Sequence, residues 1–458
     1  MKRLELQKVL TEIKGEWVQG ELPTTITQVV DDPSDVGSDK TLLFDCYHQI
    51  QTWRFDSYKN CVIVTEDSES WSKMSSDHAV VRVNNVHEAY HNFVRYYRGL
   101  FTIPVIAITG TCGKTTTKEM IAHMLSKKYK VQSTVRSKND PLFNLGYLLG
   151  IDNDTNVAVF ETAVGKKGDL LRSCRFFRPN IGAITNIGID HLNKFASHDE
   201  YIQAKGEMLP GLQYTGTLVL NTDDENIRKI DLTSFKGSVV TFGFSEQSAF
   251  QIMNIKTQEN GTSFSLRFEH LTHQLFVPGY GEHNVYNAVA AIAVVYSLGI
   301  GIDEAGEQLR FYQPLPGHMN VLPGINGSVV IDDSWSSNPT SMHAALNVLN
   351  DLAQGRKKIA VLGKMAALGK FADEHYARLG QRLVDQKIDV LITRNSIAKD
   401  FAKYALRFGM KQEQIYTCTE INEIERILRK LMSEDTIVLI KSSMKDYKIE
   451  NLVKNMTC

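Results

Sequence analysis

The stretch ITGTCGKTTTKEM, residues 108–120, constrains the fold more than any other part of this sequence. It follows the apolar run IPVIAITG and leads into a charged segment with helical spacing, TTKEMIAHMLSKKY. A strand, a glycine-containing turn and a helix in that order point backbone N–H groups and a helix N-terminus at an anion. We therefore predict a phosphate-binding loop within a parallel α/β sheet.

This loop is shorter than the usual P-loop. The usual pattern has a glycine five positions before the Gly-Lys pair, whereas this sequence has Ile108 there and its own glycine at Gly110. In such a loop Lys114 reaches the β- and γ-phosphates and Thr115 binds Mg²⁺. The alternative interpretation is a tight strand-to-helix turn with an exposed lysine.

The pattern along the 458 residues predicts an α/β fold with three domains, because the chain is too long for one hydrophobic core. Short strand-like runs and the helical pattern VHEAYHNFVRYYRGLF indicate a small α/β domain over residues 1–100. Alternating strands and helices indicate a central parallel-sheet domain over 101–313. Prolines and glycines in QPLPGHMNVLPGINGS mark a break, and a second βα series predicts a Rossmann-like domain over 314–458.

Composition excludes several classes of function. Lys plus Arg number 51 against 52 Asp plus Glu, so a formal charge of -1 gives no field for binding nucleic acid or anionic lipid nonspecifically. The six cysteines are scattered without Cys-x-x-Cys spacing, which favours a reducing compartment. The start resembles no signal peptide, and no apolar run reaches the ~18–20 residues of a membrane span. We expect a cytoplasmic protein without a membrane span.

Three residues beyond the loop form a candidate site. Glu161 ends the strand-like NVAVFE, His191 lies in TNIGIDHL, and Lys205 lies in QAKGEML. The first two follow buried-strand patterns, at the edge where parallel sheets bind ligands. Together with a phosphate loop they could complete a metal–phosphate site. The alternatives are a solvated loop carboxylate, a structural histidine and a surface lysine.

Six ordered motifs resemble those of the Mur ligases, most closely the MurF type. The motifs are GTCGKTTTKEM, ITNIGIDHL, AKGEML, PGYGEHNVYNAVAAIAVV, PLPGHMNVL and IDDSWSSNPTSMHAAL. The likeness is good from about residue 103 to 350, weaker to the C-terminus and poor in the first hundred residues. Such a likeness implies a central ATP-binding domain, a C-terminal ligase domain and an N-terminal domain that binds the substrate.

The resemblance also implies roles for individual residues. Lys114, His191 and Lys205 would be catalytic, and Lys205 would be carbamylated by CO₂, which turns a cation into an anionic ligand. Two Mg²⁺ ions would be held by Thr115, Glu161, His191 and the modified Lys205. The predicted ATP contacts are Gly110, Thr111, Gly113, Lys114, Thr115, Thr116, His283, Asn284, Asn287, His318 and Asp332. For GEHNVYN, the alternative is a helix start capped by a polar residue.

The implied reaction is amide-bond formation. A carboxylate of the acyl substrate attacks the γ-phosphate of ATP, giving an acyl phosphate and ADP, and an amino acid or dipeptide amine then displaces phosphate. In the MurF type the acid is a UDP-muramoyl tripeptide and the amine is D-alanyl-D-alanine.

The sequence departs from the family at several positions. His318 stands where the family has an arginine that reaches the nucleotide phosphates, and Met444 replaces another arginine. Lys364 and Ala367 replace two carboxylates, and Cys112 replaces an asparagine. The first hundred residues lack the family's motifs for binding the UDP-sugar.

Three hypotheses follow from these departures. The leading one is an ATP-dependent acid–amine ligase of MurF type that acts on a non-standard acyl substrate. The first alternative is the cell-wall enzyme itself with an unusual N-terminal domain. The second is a non-catalytic nucleotide-binding regulatory protein, although the retained Lys114, Thr115, Glu161, His191 and Lys205 argue against a degenerate site. A plain kinase leaves GEHNVYN and IDDSWSSNP without a role.

Overall fold

A computed structural model describes the chain in ten stretches. These are residues 1–37, 40–46, 61–67, 79–137, 139, 145–365, 367–394, 399–443, 446 and 448–458. Met444 lies outside them. The chain divides into two compact units, of which the first comprises Met1–Val105, Lys128–Phe160 and Arg172–Pro179 and the second comprises Ile106–Lys127, Glu161–Leu171 and Asn180–Cys458.

The first unit is built on a five-stranded sheet. Its strands lie in the order Glu16–Gln19, Ala79–Arg82, Cys61–Thr65, Thr41–Phe44 and Gln28–Val30. The first pairing is antiparallel and the other three are parallel. The unit also contains strands Leu4–Glu5, Thr25–Ile26 and Val131–Ser133 and helices Leu6–Ile13, Val86–Gly99 and Leu145–Leu148. Strand Val157–Glu161 and helix Asp169–Phe177 contain residues of both units.

Helix Val86–Gly99 illustrates why these elements form. The side chain of Asn85 accepts a hydrogen bond from the N–H of Glu88 at 2.8 Å, which caps the helix. Apolar side chains then recur at helical spacing and enter the core of the unit. The buried members of this face are Val86, Ala89, Tyr90, Phe93, Val94 and Tyr97. The helix predicted from VHEAYHNFVRYYRGLF is therefore confirmed.

The first sheet of the second unit carries the phosphate loop. Seven of its strands lie in the order Leu271–Pro278, Gly261–Phe268, Phe250–Gln258, Ser238–Gly243, Thr217–Asn221, Ile181–Ile184 and Val105–Thr109. The strands from Val105–Thr109 to Phe250–Gln258 pair in parallel, and the two remaining pairings are antiparallel. The helices are Lys114–Leu125, His198–Gly206, Met208–Gly211, Glu282–Tyr296 and Ile302–Leu309.

A second sheet of this unit has six strands. They lie in the order Asn320–Pro323, Val329–Asp333, Thr436–Lys441, Lys357–Leu362, Val390–Arg394 and Ile415–Cys418, and all but the first pairing are parallel. Its helices are Pro339–Ala353, Ala372–Asp385, Lys399–Arg407, Ile421–Leu431 and Lys448–Met456. Alternating residues of the parallel strands enter two apolar clusters, as expected for a sheet with both faces covered.

The predicted α/β class is confirmed, with one mainly parallel sheet behind the phosphate loop and a second of Rossmann-like type. The domain boundaries near residues 100 and 313 remain predictions. Short 3₁₀ turns complete the structure at Pro33–Asp35, Leu192–Lys194, Ile227–Lys229, Ile325–Gly327, Gly369–Phe371 and Gln412–Gln414. Among the described residues, every helix is too short or too polar to cross a lipid bilayer.

Candidate active site

Two glycines give the phosphate loop its shape. Gly110 has φ +151° and Gly113 has φ +79°, which an L side chain rarely adopts. A Cβ on Gly110 would lie 2.0 Å from Thr185 Oγ1, and one on Gly113 would lie 2.1 Å from Asn287 Oδ1. Gly113 directly precedes helix Lys114–Leu125. Both positions therefore require glycine, because the backbone conformation and the close approach of Thr185 and Asn287 leave no room for a side chain.

The segment after strand Ile181–Ile184 holds this loop in place. The N–H of Thr111 donates to the Asn186 carbonyl at 2.9 Å, and the N–H of Cys112 donates to Asn186 Oδ1 at 3.0 Å. The Cys112 carbonyl accepts from Thr185 Oγ1 at 2.7 Å and from Asn186 Nδ2 at 2.9 Å. The sequence reasoning missed Thr185 and Asn186, although both directly follow a buried strand.

Thr115 and Glu161 meet beside the loop. Thr115 Oγ1 donates to Glu161 Oε2 at 2.8 Å, and the Glu161 side chain is 1% exposed. This burial rules out the solvated-carboxylate interpretation. Lys114 Nζ donates to the Thr111 carbonyl at 3.1 Å, so its charge stays close to the loop. Thr116 is half-buried on the first turn of the same helix.

Lys205 is buried, with 1% of its surface exposed, so the surface-lysine interpretation is wrong. Its Nζ donates to the Gly110 carbonyl at 2.9 Å and to Thr109 Oγ1 at 3.3 Å. Burial, and next the nearby charge of Lys114, lower the pKa of Lys205 well below the ordinary 10.5. A buried amine with a lowered pKa is a better nucleophile than an ordinary lysine.

His191 is more exposed to solvent than Thr115, Glu161 and Lys205. Its backbone is left-handed with φ +51°, and its side chain is 51% exposed. Its Nε2 lies 3.9 Å from Asp190 Oδ2. Among the described residues, no three His, Cys, Asp or Glu side chains gather into a metal-binding group. A site built from a threonine, a modified lysine, Glu161 and His191 therefore remains a prediction.

The predicted adenine contacts lie on helix Glu282–Tyr296. Gly281, with φ +90°, precedes the helix and no side chain caps it, so the interpretation of GEHNVYN as a polar cap is wrong. Asn284 Nδ2 donates to the Pro278 carbonyl at 2.9 Å. Asn287 packs on Gly113 and accepts from Thr117 Oγ1 at 3.5 Å. Burial lowers the pKa of His283.

His318 and Asp332 belong to neighbouring parts of the six-stranded sheet. His318 precedes strand Asn320–Pro323, and Asp332 lies on strand Val329–Asp333, which pairs with it. The His318 ring stacks on Trp335 with centroids 5.3 Å apart, and its Nδ1 lies 3.0 Å from the Pro316 carbonyl. Burial lowers the pKa of His318, so this residue carries less charge near neutral pH than a free histidine. Asp332 Oδ1 accepts from the Ser334 N–H at 3.2 Å, and burial raises the pKa of Asp332.

Polar contacts join the loop carrying His191 to the start of helix Pro339–Ala353. The N–H of Ile189 donates to Thr340 Oγ1 at 3.0 Å. Asn338, which caps the helix, donates from Nδ2 to Asp190 Oδ2 at 3.2 Å and accepts from Cys112 Sγ at 3.4 Å. The sequence reasoning missed Asp190, Asn338 and Thr340. The available signal was an asparagine directly before the proline of a helix start.

Family models match most of this second unit. The Mur ligase middle domain matches residues 108–295, and the Mur ligase glutamate ligase domain matches residues 317–444. The chain therefore belongs to the Mur ligase family. It is an ATP-dependent ligase, and ligases of this family use ATP and Mg²⁺.

Its relatives are of the MurF type. The chain is 28% identical to the UDP-N-acetylmuramoyl-tripeptide–D-alanyl-D-alanine ligase of Bacillus subtilis over 83% of this chain and 81% of that one. A crystal structure of MurF from Acinetobacter baumannii matches with a TM-score of 0.87 at 24% identity over 99% of both chains. The structure of MurF from Thermotoga maritima in complex with ADP matches with a TM-score of 0.80 at 21% identity, over 93% of this chain and 96% of that one. At these identities the structures support the fold alone.

Proposed function

We propose that the chain joins the carboxylate of an acyl substrate to the amine of an amino acid or dipeptide through an acyl phosphate. The contact between Thr115 and Glu161, next to the phosphate loop and to Lys205, carries this proposal. One carboxylate oxygen bonds to the γ-phosphorus while the bond from phosphorus to ADP breaks. The amine nitrogen then bonds to the acyl carbon, inorganic phosphate leaves, and the amine loses a proton.

The residues present fit a magnesium ion. Mg²⁺ prefers oxygen ligands and usually keeps phosphate and water ligands besides one or two protein oxygens. Thr115 Oγ1 and Glu161 Oε2, 2.8 Å apart and buried at the end of a loop shaped for phosphate, supply such oxygens. When bound, the ion would reduce the repulsion between the γ-phosphate and the attacking carboxylate.

Residues of the loop and of helix Glu282–Tyr296 would hold ATP. The backbone from Gly110 to Thr116 would cradle the phosphates, and Lys114 would neutralise their charge. Adenine would be contacted by His283, Asn284 and Asn287. Asp332 would contact the ribose, and His318 would contact the phosphates. These assignments rest on the family resemblance and on the burial of this helix start against the loop.

Lys205 is proposed to be carbamylated. Its unprotonated amine would attack CO₂, form a carbon–nitrogen bond and release one proton. The burial of the amine and its position 2.9 Å from the Gly110 carbonyl support this, because an uncharged amine tolerates such a site better than an ammonium. The resulting carbamate oxygens, with Glu161 and His191, would hold a second Mg²⁺.

We further propose that the acyl substrate differs from the standard UDP-muramoyl tripeptide. The first hundred residues support this, because they lack the family's motifs for binding the UDP-sugar. The departures at Lys364 and Ala367 bear on the amine substrate. Lys364 is exposed, and it brings a cation where the MurF type has a carboxylate. An amine substrate, which is itself cationic, would meet a more repulsive field there.

The second candidate is the standard cell-wall reaction of the MurF type. The curated relatives favour it, since the ligases of Bacillus subtilis and Escherichia coli that this chain resembles over about four fifths of its length both carry that name.

Release of ADP by purified protein tests these proposals. We expect release only when ATP, Mg²⁺, an acid and an amine are all present, and we expect it to fall about 100-fold or more in Glu161→Gln. Glu307→Gln, which changes an exposed residue in an ion pair with Arg310, is the matched control and should retain activity. Robust turnover of UDP-muramoyl tripeptide with D-alanyl-D-alanine would instead establish the second candidate.

Two other outcomes would overturn the ligase proposal. A phosphorylated product without an amide would indicate a kinase. Absence of ADP release across a panel of acids and amines, with ATP still bound, would favour the non-catalytic nucleotide-binding protein.

A further inference from the structure

Tyr201 contacts both the phosphate loop and Lys205. It belongs to helix His198–Gly206, and Lys205 follows it by four residues, which places both side chains on the same helix face. Tyr201 is 1% exposed, and the Lys205 Nζ lies 5.2 Å from the centre of its ring. The ring is therefore one wall of the site that holds the lysine amine.

The hydroxyl of Tyr201 contacts the loop itself. It lies 3.0 Å from Thr111 Oγ1, and either oxygen can be the donor. Thr111 Oγ1 also accepts from the N–H of Gly188 at 2.9 Å, in the segment that leads to His191. One threonine hydroxyl thus joins the phosphate loop to the segment before His191 and, through Tyr201, to the helix of Lys205.

Neighbouring rings fix the position of Tyr201. Phe195 meets it edge-on with centroids 5.1 Å apart, and the His198 ring lies nearly parallel to it at 6.2 Å. His198 Nε2 is 3.0 Å from the Gly188 carbonyl, so the same glycine contacts both Thr111 and His198. These contacts restrict the movement of the Tyr201 side chain, so it can hold the helix of Lys205 in place relative to Thr111.

We propose that Tyr201 is a positioning residue that sets the distance between the phosphate loop and Lys205, its hydroxyl acting through Thr111 and its ring acting on the lysine amine. This inference rests on the proposed function, which gives the loop and the lysine their roles. It explains why a polar aromatic residue is buried where a helix needs only an apolar side chain: the ring fills the core while the hydroxyl finds its partner on the loop.

Two substitutions separate the two contacts. Tyr201→Phe removes only the hydroxyl, and we expect the dissociation constant for ATP with Mg²⁺ to rise about five- to tenfold, as for the loss of one buried hydrogen bond. This variant should retain the carbamate on Lys205, which ¹³C NMR detects after incubation with ¹³C-bicarbonate. Tyr201→Leu removes the ring as well, and we expect the carbamate signal to fall along with the affinity for ATP.

The matched control is Tyr312→Phe. Tyr312 is also buried in the second unit, where its ring meets His123, and it lies outside the proposed site. We expect this variant to bind ATP as the unmodified protein does. A loss of affinity equal to that of Tyr201→Phe would show that removing any buried tyrosine hydroxyl has this effect, and would overturn the proposal.

A double-mutant cycle provides the decisive test. If Tyr201 acts through Thr111, then Thr111→Val combined with Tyr201→Phe should bind ATP no more weakly than Thr111→Val alone. Fully additive losses would overturn the proposal. ATP binding by calorimetry and the NMR signal are both measured without an acid or amine, so failure of the ligase proposal would be seen separately, as absence of ADP release by the unmodified protein.

Discussion

Lys205 lies in an environment unlike that expected for a lysine. A lysine on a short amphipathic-looking segment is ordinarily solvated, and nothing in QAKGEML alone predicts its burial. The structure buries it against the carbonyl of Gly110. Its presence there is costly for folding and is therefore best explained by chemistry.

We expect Lys205→Met to increase stability while abolishing ligase activity. Burial lowers the pKa of Lys205 in the folded state, so between that value and 10.5 the unfolded state binds more protons. The free energy of unfolding of the unmodified protein should therefore rise with pH across this window, whereas methionine removes this dependence. Near neutral pH the variant should therefore be the more stable of the two proteins.

Urea unfolding in CO₂-free buffer at several pH values measures this difference. The gain from Lys205→Met should shrink as the pH rises towards 10.5. Parallel pH profiles for the two proteins would show that Lys205 does not titrate abnormally, and would remove one support for its carbamylation.

At the scale of elements, the phosphate loop depends on the backbone of Gly113. We expect Gly113→Ala to lower the free energy of unfolding by about 2 kcal/mol, because it combines a φ of +79° with a Cβ 2.1 Å from Asn287 Oδ1. It should also abolish measurable binding of ATP in calorimetry. Gly301→Ala is the control, since Gly301 has open space around its Cβ and no positive φ. Equal behaviour of the two variants would contradict the assigned role.

The start of helix Pro339–Ala353 carries a second prediction. Thr340→Val leaves the N–H of Ile189 without its acceptor and loosens the contact with the loop before His191. We expect the affinity for ATP to fall about three- to tenfold, because this helix directly follows strand Val329–Asp333, which carries the proposed ribose contact Asp332. Calorimetry with ATP and Mg²⁺ measures this change.

Ser341→Ala is the matched control for that helix. It breaks the capping box with Asn338, which should cost about 1 kcal/mol of stability, but it keeps the Ile189 contact. Unchanged ATP affinity in Thr340→Val would show that the contact has no part in nucleotide binding.

Local patterns predicted the elements around the loop but not their partners. Apolar periodicity and glycines were sufficient for strand Val105–Thr109 and helix Lys114–Leu125. The antiparallel strands Gly261–Phe268 and Leu271–Pro278 were missed. The first carries a signal that could have found it, because SFSLRF alternates polar and apolar residues, whereas LTHQLFVP in the second shows no such alternation. Contacts such as Asn186 with the loop, or Asn338 with Asp190, join residues distant in sequence and leave no periodic signal.

For the whole molecule, nucleotide binding should appear as a gain in stability. We expect ATP with Mg²⁺ at about 100 times its dissociation constant to increase the free energy of unfolding by about 2.7 kcal/mol. ATP in excess EDTA should give much less, because Thr115 and Glu161 would lack their ion. Thermal unfolding with and without EDTA makes the comparison, and equal shifts would contradict a magnesium-dependent site.

The hydrogen bond between Cys112 and Asn338 also gives the chain a built-in chemical reporter. Burial raises the pKa of the Cys112 thiol, so an alkylating reagent reacts slowly with it while Asn338 stays in place. Four of the other cysteines are buried, and Cys458 is exposed. In a Cys458→Ser background, the labelling rate of a single thiol would follow each departure of Asn338 from the phosphate loop, without any fluorophore added to the protein.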